Sequence, residues 1–224
     1  MSLEALDLKK EFIRETRTSN RFAAVDGISL TLEKEQVTVI MGRSGSGKTT
    51  LMNMLCGLLV PTSGKVKLDN DDIYALSDSR LSRLRGSRMG IIPQGQTALG
   101  SLNVLQNVLL SCTLSRQDGD ETRARELLER LGIGELAGAM PSELSGGELR
   151  RMSIARALMR SPEYIFADEP TADLDDENTA LVLGFLKETA AAGASVLIIT
   201  HDSEAAAYAD RVMIVKAGHL ESKI

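Results

Sequence analysis

Two periodicities alternate along the chain. Leu3 to Leu8 alternates loosely and reads as a strand, and Phe22 to Leu32 reads as strand material with a bend at Gly27. Short apolar runs at Val37–Ile40, Lys65–Leu68, Met89–Pro93, Tyr164–Ala167, Ser195–Thr200 and Arg211–Val215 fit strands. Between them apolar residues return at helical spacing. Leu51, Met54, Leu55 and Leu58 mark a helix that begins near Lys48 and ends near Gly57; Leu81 and Leu84 mark another over Ser77–Arg88. Asn103–Leu114 reads as a helix. The next starts at Asp118-Gly119-Asp120, carries Ala124, Leu127, Leu128 and Leu131 on one side, and is capped by Gly132. A further helix runs from Gly146 to about Arg160, where Ser161-Pro162 stops it, and Asp176–Ala192 and Ser203–Tyr208 complete the set. Lys9 to Asn20 is polar and reads as turn and loop, and Ala217-Gly218 reads as a turn.

Strands alternating with helices predict an α/β fold with a mostly parallel sheet covered on both faces. Helices without strands fill the stretch between Gln94 and Pro162. The expected organisation is one domain over residues 1–224. Its α/β core is 1–93 and 163–224, and a helical subdomain is inserted at about 94–162.

Composition removes several alternatives. Among 224 residues the net charge is −5, aromatics are 3% and there is no Trp. That balance offers neither a basic footprint nor stacking platforms for nucleic acid, so no nucleic-acid partner is expected. Cys56 and Cys112 stand outside any metal-ligand spacing and read as buried free thiols of a reducing compartment. No stretch has the ~18 apolar residues of a membrane span. Work at a membrane would go through another chain, from the cytoplasm. Arg80, Arg83, Arg85 and Arg88 make one predicted helix basic, which reads first as a solvated face.

The chemistry starts at Gly42-Arg43-Ser44-Gly45-Ser46-Gly47-Lys48-Thr49-Thr50, between a strand and a helix. Glycines there let backbone N–H groups curl around phosphates, and the helix adds its positive end. Lys48 is the right cation for the β- and γ-phosphates and Thr49 the right hydroxyl for Mg²⁺, as in other phosphate-binding loops. The strand Tyr164–Ala167 leads into Asp168-Glu169. A carboxylate at that strand end can hold Mg²⁺, and Glu169, expected on the other side of an extended chain, can position an attacking water. Ser145, Gly146, Gly147 and Glu148 open another helix, with Ser145 as N-cap, and read as a second anion-binding helix N-terminus. One nucleotide needs one cradle, so a second suggests a γ-phosphate supplied from another subunit.

In order, Gly42–Thr49, Gln94, Leu144–Glu148, Ile165–Glu169, Asp175 and His201 resemble the motif set of ABC transporter ATP-binding subunits. The resemblance covers essentially the whole chain and is closest to the lipoprotein-release and macrolide-export type, with Asn107-Val108 and Ala155–Leu158 fitting that pattern. It implies a P-loop NTPase core, an N-terminal antiparallel β portion and the helical subdomain with the signature segment. It implies an ATPase that pairs with a second copy around two ATP molecules. That pair would drive a separate transmembrane permease, contacted through the loop after Gln94 and the helical subdomain, from the inner face of the cell membrane. Lys48 would hold phosphate; Thr49, Asp168 and Gln94 would serve Mg²⁺. Glu169 would be the base or water-positioning carboxylate, and His201 would contact the γ-phosphate. Ser145 to Glu148 and Asp175 would meet the opposite subunit. The adenine would stack on an early aromatic: Phe12 in the first instance, with Phe22 as the alternative but expected to face the core. Stacking of this kind is worth about 1–3 kcal/mol.

Two places depart from the family pattern: Leu149 follows the signature segment, and Gly95-Gln96-Thr97-Ala98 replaces a bulkier loop. The chain also ends soon after its last expected strand, so no C-terminal regulatory domain is expected. The rival function has the same motifs acting as a mechanical or signalling switch on a non-transporting membrane partner, as in bacterial cell division.

Overall fold

The structure is a computed structural model that describes residues 2–14, 20–95, 97–115 and 119–222. Gln96 of the expected loop, Asp118 of the expected helix start and residues 15–19 of the expected first loop lie outside that set. Two sheets organise the rest. Strands β1 (Leu3–Arg14), β2 (Asn20–Leu32), β4 (Ser63–Leu68) and β5 (Asp71–Asp72) form an antiparallel sheet in the order β2-β1-β4-β5. The second sheet has six strands: β3 (Val37–Met41), β6 (Met89–Ile92), β7 (Tyr164–Asp168), β8 (Ser195–Thr200), β9 (Arg211–Lys216) and β10 (His219–Ser222). Its order is β10-β9-β3-β8-β7-β6, and only β10 is antiparallel to its neighbour.

The central strands face two cores at once, as their period of two requires. Val37, Val39, Ile165, Ala167, Val196 and Ile198 pack with the helices on one side. Ile40, Tyr164, Phe166, Leu197 and Ile199 pack with α1 (Lys48–Leu55) and the antiparallel sheet on the other. The first core continues into α3 (Val104–Leu114), α4 (Glu121–Arg130), α5 (Gly146–Leu158) and α6 (Asp176–Ala191). Helix α2 (Asp78–Arg88) contributes Leu81 to the second. Cys56 and Cys112 are free and buried; burial pushes the Cys56 thiol up to about 12, so it stays protonated.

Several expectations are corrected. Strand β1 runs six residues past Leu8, to Arg14, instead of giving way to a loop. Beyond Leu8 the ribbon lies at the rim, where polar residues suit a half-exposed strand, and Lys9 pairs with Glu11 and Asp26. Gly27 does sit at a bulge: the partners of Leu8 and Lys10 are Ile28 and Val25, which leaves one extra residue on β2. Helix α5 ends at Leu158, short of Arg160, and Leu58 lies past α1 and is 54% exposed. Strand β10 has no sequence expectation behind it. It is polar and four residues long, and it pairs only through the hairpin at Ala217 (φ 48°) and Gly218 (φ 82°), a two-residue turn with both residues left-handed.

Where the two sheets meet, Glu163 accepts from Arg88 at 2.7 Å and Lys34 at 2.9 Å, and Arg88 also reaches Asp69 at 2.7 Å. The Arg88 bonds, helped by Lys34 and opposed by partial burial, hold the Glu163 carboxyl at about 2 instead of its ordinary 4.5. A depressed carboxyl stabilises the fold at pH above its unfolded value and stops doing so as pH falls through its folded value. Between about pH 4.5 and 2 the wild-type chain is therefore expected to lose thermal stability more steeply than Glu163→Gln, as read from unfolding midpoints across that window. Parallel slopes would show that the cluster contributes nothing in acid.

Candidate functional site

The phosphate loop leaves β3 at Met41 and enters α1 at Lys48. It is wedged between two strands. A Cβ at Gly42 would lie 2.4 Å from Val215 O on β9, and one at Gly47 would lie 2.1 Å from Ala24 O on β2. Gly47 also has φ 105°, so both space and backbone demand glycine there. The β9–β10 hairpin buttresses the loop from below, with Gly218 N donating to Ser46 O at 3.1 Å. Helix α1 has no side-chain cap and no acidic residue in its first turn. Its leading N–H groups thus remain orphan donors beside the positive end of the helix dipole, which suits an anion.

Around this loop the fold gathers Phe12, Phe22, Ala24, Ser44 to Thr50, Gln94, Asp168, Glu169 and His201 on one cleft of about 380 Å³. The Lys48 side chain is buried, and its ammonium donates to Gly42 O at 2.7 Å and Arg43 O at 3.2 Å. Thr49 Oγ1 donates to Asp168 Oδ2 at 2.8 Å. Burial pushes the Asp168 carboxyl up, with the Glu169 charge adding to it and the Thr49 bond opposing it. A hard cation would relieve that penalty. Thr49 and Asp168 give it two oxygen ligands, with the rest left to phosphate, the Gln94 side chain or water. Among the described residues no cluster of three His, Cys, Asp or Glu side chains could hold a metal alone.

Glu169 departs from the expected extended chain. Its φ is 49°, in the left-handed region, and the turn brings its carboxylate into the same cleft as Asp168. Such a backbone costs about 1–3 kcal/mol and is kept where the surroundings enforce it. Here they do so from both oxygens: Thr200 Oγ1 donates to Oε2 at 2.7 Å, and His201 Nδ1 lies 2.8 Å from Oε1. Burial raises the Glu169 carboxyl, but the His201 and Thr200 bonds outweigh it and leave it below the ordinary range. A side chain so held is an ionised acceptor at neutral pH.

The other named residues lie apart. Ser145 caps α5, accepting from Glu148 N at 3.3 Å, while Glu148 Oε2 accepts from Ser145 N and Ser145 Oγ, both at 2.7 Å. This box meets part of the helix end's demand internally, which qualifies the expectation of an open anion cradle; the Gly146 and Gly147 amides remain its leading donors. Asp175 caps α6 by accepting from Asn178 N at 2.8 Å. Its loop packs on the α5 end, where a Cβ on Gly147 would meet Leu174 at 3.0 Å. Ser145, Gly146 and Asp175 are exposed and do not line the phosphate cleft.

Phe22 is corrected as well. It is 37% exposed and stacks on Phe12, ring centroids 5.9 Å apart, so both rings border the cleft and Phe22 is not a core residue. Two residues escaped the sequence reading. Thr200 is fully buried against Glu169, and a Thr ending an apolar strand before His201 was its only signal. Arg150 is buried against the Gln94 loop; a charge one turn inside α5 on its buried side was the clue.

The sequence profile described as ABC transporter matches residues 25–172. Among curated relatives, the macrolide export ATP-binding/permease protein MacB of Rhodopseudomonas palustris (strain HaA2) is 41% identical over 219 residues, covering 97% of this chain and 33% of that protein. The lipoprotein-releasing system ATP-binding protein LolD of Shewanella frigidimarina (strain NCIMB 400) is 38% identical over 200 residues, covering 88% of this chain and 84% of that one. The chain thus spans about a third of the macrolide export proteins it matches and most of the lipoprotein-releasing one. Among solved structures, the dimeric bacterial ABC transporter cassette MJ0796 superposes with TM-score 0.90 at 29% identity, covering 98% of both chains. Its post-hydrolysis dimer bound to ADP and Pi gives 0.89 at the same identity.

Proposed function

Since the chain belongs to the ABC transporter family, we propose that it is the ATP-hydrolysing subunit of a transporter, working as a pair around two ATP molecules. The observation that carries this reading is the separation of the two anion-seeking helix ends. The α1 end lies in the cleft with Asp168, Glu169 and His201, while the α5 end opens on the surface away from it. A second copy supplies the missing contact, with its Ser145, Gly146, Gly147, Glu148 and Asp175 facing this cleft. The α/β core, 1–93 and 163–224, carries the cleft apart from Gln94, and the helical part, about 94–162, carries the signature end.

The loop amides from Gly42 to Thr50 and the Lys48 ammonium bind the β- and γ-phosphates, and Phe12, backed by Phe22, takes the adenine. Thr49, Asp168 and Gln94 would hold Mg²⁺, which when bound offsets charge on the phosphate oxygens. Glu169 orients a water against the γ-phosphorus and accepts its proton. The water oxygen bonds to phosphorus as the bond to the bridging oxygen breaks, giving ADP and phosphate. His201 holds Glu169 through Nδ1 and turns Nε2 toward the γ-phosphate. ATP favours the closed pair because its γ-phosphate touches both copies; ADP lacks that differential contact, so hydrolysis reopens it.

No helix among the described residues is long and apolar enough to cross a membrane. The transmembrane partner docks instead in a groove of about 940 Å³ between α2 and the ends of α3 and α5. Leu110, Leu114, Met89 and Ile91 give it apolar surface, and Arg83, Arg156 and Arg160 line it with positive charge. On this reading the chain works at the inner face of the cell membrane. The test is phosphate release by the purified chain from ATP with Mg²⁺. Turnover that stops with chelator and returns with added Mg²⁺ is expected; turnover indifferent to chelator would contradict the site.

A further inference from the structure

Arg150 is a buried cation that the proposed chemistry does not use. It stands one turn inside α5 and is 8% exposed. Its guanidinium donates to Pro93 O at 2.7 Å and to Gln94 O at 2.6 Å. Two bonds from one planar fork fix orientation as well as distance. Farther along the helix, Arg156 donates to Thr97 O at 2.8 Å and to the Thr97 hydroxyl. Helix α5 therefore grips the segment that leaves β6 on both sides of Gly95.

That segment and that helix serve different nucleotides in the proposed pair. Gln94 lines the phosphate cleft of its own chain. Gly146, at the head of α5, faces the ATP held by the other copy. Gln94, Gly146, Arg150 and Asp173 also border one small cavity of about 50 Å³. Coupling between sites travels through packed elements that move as a unit, and a rigid helix bonded to a loop is such an element.

From this juxtaposition we infer that Arg150 is a positioning residue that couples the two ATP sites, tying Gln94 of one site to the Ser145–Gly147 helix end of the other. The inference rests on the paired-subunit reading above. Movement of Gln94 toward its own γ-phosphate carries the α5 end toward the partner's ATP, so each occupied site prepares the second. Arg156 and Thr97 also line the membrane-facing groove, which joins that surface to the same rigid body.

The test compares the wild-type chain with Arg150→Met, which keeps a long stem but removes the fork, and Arg150→Lys, which can bond one carbonyl at a time. ATP turnover is followed against ATP concentration, and binding of a fluorescent ATP analogue to the monomer is measured separately. Wild type is expected to show a Hill coefficient above one. Arg150→Met is expected to keep monomer affinity within about twofold, to lose about tenfold or more in kcat and to fall to a Hill coefficient near one. Arg150→Lys should recover part of both losses. If Arg150→Met keeps the wild-type kcat and Hill coefficient, the coupling role is wrong. If its monomer affinity and unfolding midpoint collapse along with kcat, and Arg150→Lys rescues neither, Arg150 is only a structural plug and the inference fails. A wild-type chain without ATP turnover overturns the paired-subunit reading itself, whereas an active wild type beside an unaltered variant overturns the coupling alone.

Discussion

Lys48→Ala is expected to lose ATP binding at any accessible concentration and with it all measurable turnover. The Lys48 ammonium bonds inside the loop, to Gly42 O and Arg43 O. Phosphate oxygens are stronger acceptors than those carbonyls, and a charge-assisted bond in a partly desolvated cleft is about twice as strong as a neutral one. Removing one such donor from developing charge typically costs about 10²–10³ in rate, and here ground-state binding falls as well. Lys48→Arg should not rescue, because a planar fork does not reproduce the compact ammonium that bonds Gly42 O and Arg43 O. Analogue titration and phosphate release both check this. An unfolding midpoint near wild type would separate lost binding from lost folding, since α1 is also held by Leu51, Met52, Met54 and Leu55 in the second core. Wild-type affinity in Lys48→Ala would remove the phosphate loop from the account.

The second large effect is on turnover alone. Glu169→Gln keeps the size and one of the two acceptor oxygens that Thr200 and His201 hold, but not the charge. A carboxamide cannot accept the water's proton, and loss of a positioned general base costs about 10²–10⁴ in rate. ATP affinity should stay within a few-fold, because the proposed phosphate contacts are those of Lys48 and the loop amides, which the substitution leaves in place. Loss of binding and turnover together would assign Glu169 a ground-state role instead.

Much of this was legible in the chain because local rules and tertiary demands coincided. Val37–Ile40, Tyr164–Ala167 and Ser195–Thr200 are mostly apolar because both of their faces are buried, and each leads into residues of the proposed site. Ser145 and Asp175 announce helix starts by chemistry that acts within four residues. The failures came where long-range contacts override local signals. Lys9–Ile13 reads as loop, yet a neighbouring strand makes it β1. Phe22 reads as core, yet the ribbon twist turns its ring beside Phe12 at the cleft. Glu169 reads as extended, yet Thr200 and His201, more than thirty residues on, hold it in a left-handed turn. Arg150 carries no local cue to its partners, because the carbonyls of Pro93 and Gln94 lie more than fifty residues away in the chain.

The site as folded in one chain is half of the proposed machine, and the most direct measurement is of mass. Sedimentation velocity of Glu169→Gln at micromolar protein, with Mg²⁺ and either ATP or ADP, reads the pairing without reference to activity. The account predicts a dimer with ATP and a monomer with ADP, and conversion of the dimer back to monomer when Ser145→Arg is added to block the α5 end. A Glu169→Gln chain that binds ATP yet sediments as a monomer at those concentrations would contradict a site shared between two copies.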